Sequence, residues 1–226
     1  MGDQDAKATL FEQFARVGKA LGSGKRLELL DLLAQGERSV EALARAAGLP
    51  VATASAHLQT LRRANLVETR REGTNVYYRL AGRDVAALYA LVRAVANANL
   101  ADVEAARVAY LGPDTDMVTR EELLRRVHAG QVVVVDVRPS EEYAAGHLPG
   151  AVSIPLDELP GRLAELPSDQ EIVVYCRGAY CAFAYDAVRF LTANGRLARR
   201  LEDGMLEWRL ADLPTEDSAA WPAARS

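Results

Sequence analysis

The chain has 226 residues, half of them hydrophobic, which is too long for one small domain and enough for two domains with packed cores. Its two cysteines, Cys176 and Cys181, are too few and too close together to staple a secreted scaffold. No apolar run reaches the length of a signal peptide core or a membrane span, so no membrane is expected as a partner and the expected compartment is the cytosol. A net charge of −4 argues against a protein that coats nucleic acid, but the charge is uneven: 12 basic against 9 acidic residues up to Gly82, then 15 against 22.

The front half reads as helices followed by a hairpin. Leu10 to Leu21 and Lys25 to Leu33 carry helical apolar spacing. Gly36 ends the second helix, Ser39 caps a third over Val40 to Ala47, and Gly48 stops it. Pro50 opens a fourth, to about Ala64, with Val51, Ala54, Leu58 and Leu61 on one face. Two short strands follow, near Leu66 to Arg70 and Val76 to Leu80, around a turn in which Gly73 can take a positive φ. One long helix is then predicted from about Asp84 to Leu111, roughly 40 Å at ~1.5 Å per residue. Its stripe of Leu88, Leu91, Val92, Val95, Leu100 and Val103 is too long for the small domain before it to cover, which points to a partner subunit rather than to packing within the chain. Gly112-Pro113-Asp114 breaks that helix and marks the boundary. The expected division is 1–111 for the first domain, 112–116 for a linker and 117–226 for the second.

The back half alternates strands and helices. Thr119-Arg120-Glu121-Glu122 is a capping box opening a helix to His128. Val132 to Val137 is a β-branched run suited to a fully buried strand. Ser140 caps a short helix, Ala151 to Ile154 is a strand, and Glu171 to Tyr175 is another that leads directly into Cys176. A helix from about Ala182 to Ala193 and a last strand, Arg199 to Leu201, complete an α/β domain with a mostly parallel sheet.

Two short helices around Gly48-Leu49-Pro50, then a hairpin, give a mainly α winged helix-turn-helix, in which the second helix enters the major groove of double-stranded DNA and the wing reaches neighbouring phosphates. Ser39 through Gly48, then Ser55-Ala56-His57-Leu58, Leu61-Arg62, Asn65-Leu66-Val67 and Val76-Tyr77-Tyr78-Arg79-Leu80, resemble the ArsR-type (arsenical repressor) family over about residues 10 to 110. The resemblance implies a homodimer on an inverted-repeat operator, with repression released by an inducer. Ala52, Ala54 and Ala56 leave Thr53, Ser55, His57, Gln59 and Arg62 to face DNA, His57 having the alternative of packing beneath the wing. Arg62, Arg63, Arg70 and Arg71 are candidate phosphate contacts, with Thr74 at the wing tip; a solvated hairpin tip is the plain alternative for the wing residues. Metal-sensing members of that family place cysteines before the recognition helix, or His and Asp clusters on the last helix. Here no cysteine precedes Cys176, and Asp84, Asp102 and Glu104 have no histidine beside them. Neither a metal nor another cofactor is expected.

Strand, cysteine, tight loop and helix form a nucleophile design. In Cys176-Arg177-Gly178-Ala179-Tyr180-Cys181 the loop amides and the following helix dipole favour a thiolate or persulfide anion, Arg177 can add a formal charge, and Gly178 lets the loop curl. Asp136-Val137-Arg138, Glu142-Tyr143, Gly146 to Ala151, Val174 to Gly178 and Leu201 to Trp208 together resemble the rhodanese (sulfurtransferase) family over about residues 115 to 215. The resemblance implies a persulfide on Cys176 during sulfur transfer, with thiosulfate, a polysulfide or a persulfide as donor. Asp136, Arg138 and His147 are read as structural supports, and Gly146 to Gly150 as a turn. Phosphatases of that fold need an arginine six positions after the cysteine; Ala182 stands there, so phosphate-monoester chemistry is not expected. Many sulfurtransferases also have an arginine near the loop's end, where this chain has Cys181 and Ala182. Cys181 is either a second thiol able to resolve a modified Cys176 or a buried helix-start residue. Three functions follow: a sulfur-responsive DNA-binding repressor, a sulfurtransferase enzyme with the winged domain as a dimer scaffold, or a redox sensor based on a Cys176–Cys181 disulfide.

Overall fold

The computed structural model describes residues 4–216, which divide into two compact units meeting in sequence between Tyr89 and Ala90. In the first, α1 (Gln4–Leu21) and α2 (Gly24–Gln35) precede a two-residue strand β1 (Arg38–Ser39), then α3 (Val40–Ala46) and α4 (Val51–Arg63). Ser39 caps α3 through its hydroxyl, which accepts the Ala42 N–H at 3.2 Å. Gly48, at φ 61°, turns the chain between α3 and α4 where a side chain would be strained. Strands β2 (Val67–Glu72) and β3 (Asn75–Leu80) form an antiparallel hairpin with Gly73 at φ 59° in its turn. β1 pairs with the other edge of β3, giving the order β1-β3-β2. Leu29, Leu33, Leu43, Leu58, Leu61, Tyr78 and Leu80 are all buried and hold helices and wing together.

The expected long helix is two. α5 (Arg83–Asn99) ends before Leu100-Ala101, and α6 (Asp102–Leu111) begins anew. The break has a sequence correlate in Asn97, Asn99 and Asp102, residues that favour helix ends over helix interiors. The compact units divide inside α5: Tyr89 lies in the first and Arg93 in the second.

The second unit carries a wholly parallel sheet of β4 (Met117–Val118), β5 (Val132–Asp136), β6 (Val152–Ser153), β7 (Glu171–Tyr175) and β8 (Ala198–Leu201), in the order β4-β8-β7-β5-β6. α7 (Arg120–His128), capped by Thr119, precedes β5, and α8 (Ser140–Ala144) follows it. α9 (Leu159–Arg162) and a 3-10 turn lead to β7, α10 (Ala182–Ala193) follows the cysteine loop, and α11 (Met205–Leu210) closes the unit. Val135, Val174, Leu191 and Ile154 fill one face of the sheet, and Val134, Tyr175, Leu123 and Trp208 the other. β7 is therefore covered on both faces and paired on both edges, which fixes the chain where it runs into Cys176. On α10, Arg189 donates to the carbonyls of Leu111 and Pro113, binding the end of α6 into the second unit. Among the described residues no helix is long and apolar enough to cross a membrane.

Candidate functional site

On α4, Ala54, Leu58 and Leu61 face the core, which turns Thr53, Arg62 and Arg63 outward, where they are exposed. Ser55, His57 and Gln59 are half-buried on its flank. Gln59 Nε2 donates to Tyr78 Oη at 3.0 Å and so ties the helix to the wing. Burial raises the pKa of that phenol, with a smaller opposing influence from Arg62, and keeps it protonated. Arg70, Arg71 and Thr74 project from the wing. Arg70 already holds Glu37 (2.7 Å) and Glu72 (2.8 Å), so its charge is locally matched, whereas its guanidinium also covers the Tyr77 ring at 4.9 Å.

In the second unit, Cys176 leaves β7 with 1% exposure and Cys181 stands as the N-cap of α10. Their sulfurs are bonded, with the α-carbons 6.2 Å apart. Within the loop between them the Cys181 N–H donates to the Gly178 carbonyl at 3.1 Å. The carbonyls of Cys176 and Arg177 accept the N–H groups of Met205 and Leu206 (3.0 and 3.1 Å), so the loop rests on the start of α11. The glycines here serve close approach. A Cβ on Gly204 would stand 2.3 Å from the Gly178 nitrogen, and one on Gly178 would meet Arg93 Nη1 and Glu207 Oε2 at 3.3 Å. Gly178 does not have a positive φ, so its role is space rather than an unusual turn.

Arg177, expected to add a formal charge to the loop, is engaged in an ion pair. Its Nε and Nη2 grip the carboxylate of Glu142, which is 1% exposed, at 2.6 to 3.0 Å, and its guanidinium lies over the Phe183 ring. Asp136 and Arg138 form a fully buried pair at the carboxyl end of β5, and Arg138 Nη2 reaches the Gly146 carbonyl at 2.8 Å. Burial works against the Arg138 charge, but the charge and hydrogen bonds of Asp136 outweigh it and hold the guanidinium pKa above its usual range. Tyr175 completes this cluster by donating to Asp136 Oδ2 and accepting the Leu148 N–H at 3.1 Å. Burial, then the Asp136 charge, pushes its phenol well above the ordinary tyrosine pKa. His147 stacks on Tyr143 at 3.7 Å, and its backbone pairs with Glu216. Tyr175, Glu142, Arg93, Gly204 and Glu207 were not singled out from the sequence. All of these but Arg93 lay inside the motifs of the rhodanese resemblance, whereas the long-range partners of Arg93 left no local signal.

The sequence matches the family described as "Bacterial regulatory protein, arsR family" over residues 23–69 and "Rhodanese-like domain" over residues 119–211. The HTH-type transcriptional regulator Rv0324 of Mycobacterium tuberculosis is 61% identical over 218 residues, spanning 96% of both chains. The chain belongs to the arsR family of bacterial regulatory proteins. This arsR-family member is a DNA-binding transcriptional regulator with a rhodanese-like domain appended. The second domain is similar to a sulfurtransferase of Allochromatium vinosum, 34% identical over 84 residues, which are 37% of this chain and 77% of that protein. The first is similar to the homodimeric winged helix-turn-helix DNA-binding domain (fragment 1–100) of Mb0332 from Mycobacterium bovis. That likeness is 61% identical with a TM-score of 0.41, and covers 44% of this chain and 93% of that one.

Proposed function

We propose that this regulator is a cytoplasmic, homodimeric repressor of an inverted-repeat operator, and that its rhodanese domain senses sulfane sulfur at Cys176. In this reading residues 1–111 bind DNA and dimerise, and residues 117–226 do the sulfur chemistry. The carrying observation is the bond between Cys176 and Cys181 across the loop, with an α-carbon separation inside the range that disulfides span. A Cys176 thiolate attacks the outer sulfur of a persulfide, R–S–SH, and R–SH leaves after taking a proton. The Cys181 thiolate then attacks the Cys176 sulfur and expels hydrosulfide, leaving a disulfide. The sulfane sulfur is reduced to sulfide by the two electrons the thiols lose. The second thiol stands where many sulfurtransferases have an arginine, which favours sensing over rapid turnover.

Dimerisation is supported by the apolar side chains left exposed: Leu10, Phe11 and Phe14 on α1, and Leu91 and Val95 on α5. The deciding experiment is operator binding by the full chain before and after polysulfide, with the masses of both cysteines recorded. Weaker binding that accompanies loss of both thiols supports the reading. Unchanged affinity with both cysteines converted defeats it and leaves the sulfurtransferase function in its place.

A further inference from the structure

Arg93 lies outside the rhodanese match at 119–211, yet it contacts the cysteine loop. Its Nη2 donates to Glu207 Oε1 at 2.7 Å, and both side chains are 19% exposed. The other Glu207 oxygen accepts the Gly204 N–H at 3.1 Å, and Gly204 is the residue packed flat on the Arg177-Gly178 backbone. The Arg93 guanidinium also faces the Tyr180 ring, with 5.2 Å from Cζ to the ring centroid. Arg93, Tyr180, Gly178 and Glu207 all belong to the second unit. Arg93 is carried by α5, whose preceding turn places Tyr89 in the core of the first unit, with its hydroxyl 3.1 Å from Asp31 Oδ1.

Tyr180 is the residue next to Cys181. While the cysteines are bridged, Cys181 is tethered to the end of β7 and Tyr180 is held with it. Opening the bridge frees Cys181, and the arginine-facing position of Tyr180 then depends on the loop's own turn. An arginine's flat guanidinium stacks on an aromatic face within about 6 Å, so the hold of Arg93 on Tyr180 depends on where the loop keeps that ring.

We propose that Arg93 is a redox-dependent latch: it grips the loop and α11 while Cys176 and Cys181 are bridged, and loosens its hold on the second half of α5 when they are reduced. The proposal rests on the sensor reading for its biological use. Closing the bridge follows the persulfide steps given above. Opening it takes a dithiol: one thiolate attacks Cys181 Sγ and releases the Cys176 thiolate, then the second thiolate displaces Cys181. The dithiol leaves as a disulfide, and the two cysteines take up its two protons.

The test is backbone hydrogen exchange in residues 90–99 of the full-length protein, bridged and dithiol-reduced, in wild type and in Arg93→Met. Exchange in wild type is expected to be several-fold slower in the bridged form, and Arg93→Met to exchange at one rate in both forms. Identical wild-type rates in the two forms, or a difference that survives in Arg93→Met, overturns the latch. If Arg93→Met does not fold, Glu207→Gln keeps an acceptor for the Gly204 N–H while removing the ion pair, and must shrink the difference. Operator affinity on the same samples separates the two ideas. An exchange difference without an affinity change supports the latch and sinks the sensor reading, whereas an affinity change without an exchange difference overturns the latch alone.

Discussion

Tyr175 shows how much depends on one buried phenol. Its hydroxyl joins the Asp136 carboxylate to the Leu148 backbone, and all three groups are buried. Tyr175→Phe leaves that carboxylate with fewer donors, and is expected to lower stability by about 1–3 kcal/mol at neutral pH, read from denaturant midpoints. The same residue sets an alkaline limit. Its folded pKa is raised, so below the ordinary tyrosine value near ~10 both folded and unfolded chains keep the proton and its contribution is complete. Above that value the unfolded chain sheds the proton first, and stability falls with pH until the folded pKa is reached, by up to ~1.4 kcal/mol per pH unit for one group. Tyr175→Phe should flatten part of that decline between pH 10 and 11. An unchanged alkaline slope would show that the proton is lost elsewhere. Tyr78 and Tyr143, also raised by burial, act in the same direction.

Among elements, α4 and the wing separate positioning from charge. Arg62 and Arg63 are exposed on the last turn of α4, while Arg70 is matched by two carboxylates. Arg62→Ala or Arg63→Ala is expected to weaken operator binding and to lower the slope of log affinity against log salt by about 1 each; Arg70→Ala should change the slope less. Fluorescence anisotropy across salt concentrations distinguishes these outcomes, and equal losses for all three arginines would contradict this ordering. The exposed α1 face makes a second claim. Phe11 and Phe14 meet edge to face at 5.7 Å with more than half of each exposed. Phe14→Glu should shift the protein toward monomer in sedimentation, without loss of helical signal, if that face is a dimer seam.

The periodicities of α2 to α4, the hairpin and the buried runs of β5 and β7 were legible because each is a local pattern. The interruption at Leu100-Ala101 was not, because the apolar stripe continues in sequence on either side of it. The edge strands β1 and β4 have two residues each, too short to carry an alternation. The cysteine loop could be located from its strand and helix, but the neutralisation of Arg177 by Glu142 joins residues 35 apart. The role of Arg93 joins residues 114 apart, and no spacing rule reaches so far.

At the scale of the whole molecule, a rhodanese-like domain and a DNA-binding domain are joined in one polypeptide, and the roles of the two cysteines can be separated by substitution. Thiosulfate should load Cys176 with a sulfur atom and release sulfite, and cyanide should remove that sulfur as thiocyanate. Slow turnover is expected, lost in Cys176→Ser. Cys181→Ser should turn over as well as wild type or better, because no internal thiol then diverts the persulfide. The same variant should keep its operator affinity in polysulfide if the bridge is the signal. Retention of the full wild-type response by Cys181→Ser would make the persulfide alone sufficient.

The two ends of the bridge are not mechanically alike. Cys176 is the continuation of a strand flanked by β5 and β8, and its carbonyl is held by Met205. Cys181 heads a helix with no side-chain cap and is only half-buried. One sulfur sits on an anvil and the other on a hinge, so a bond between them moves the hinge side. Displacement on closing therefore falls on residues 178–182, and its direction is set by the rigid strand whichever donor supplies the sulfur. Different persulfide donors should thus produce the same movement, and on the sensor reading proposed above the protein would report the bridge without recording which molecule brought the sulfur.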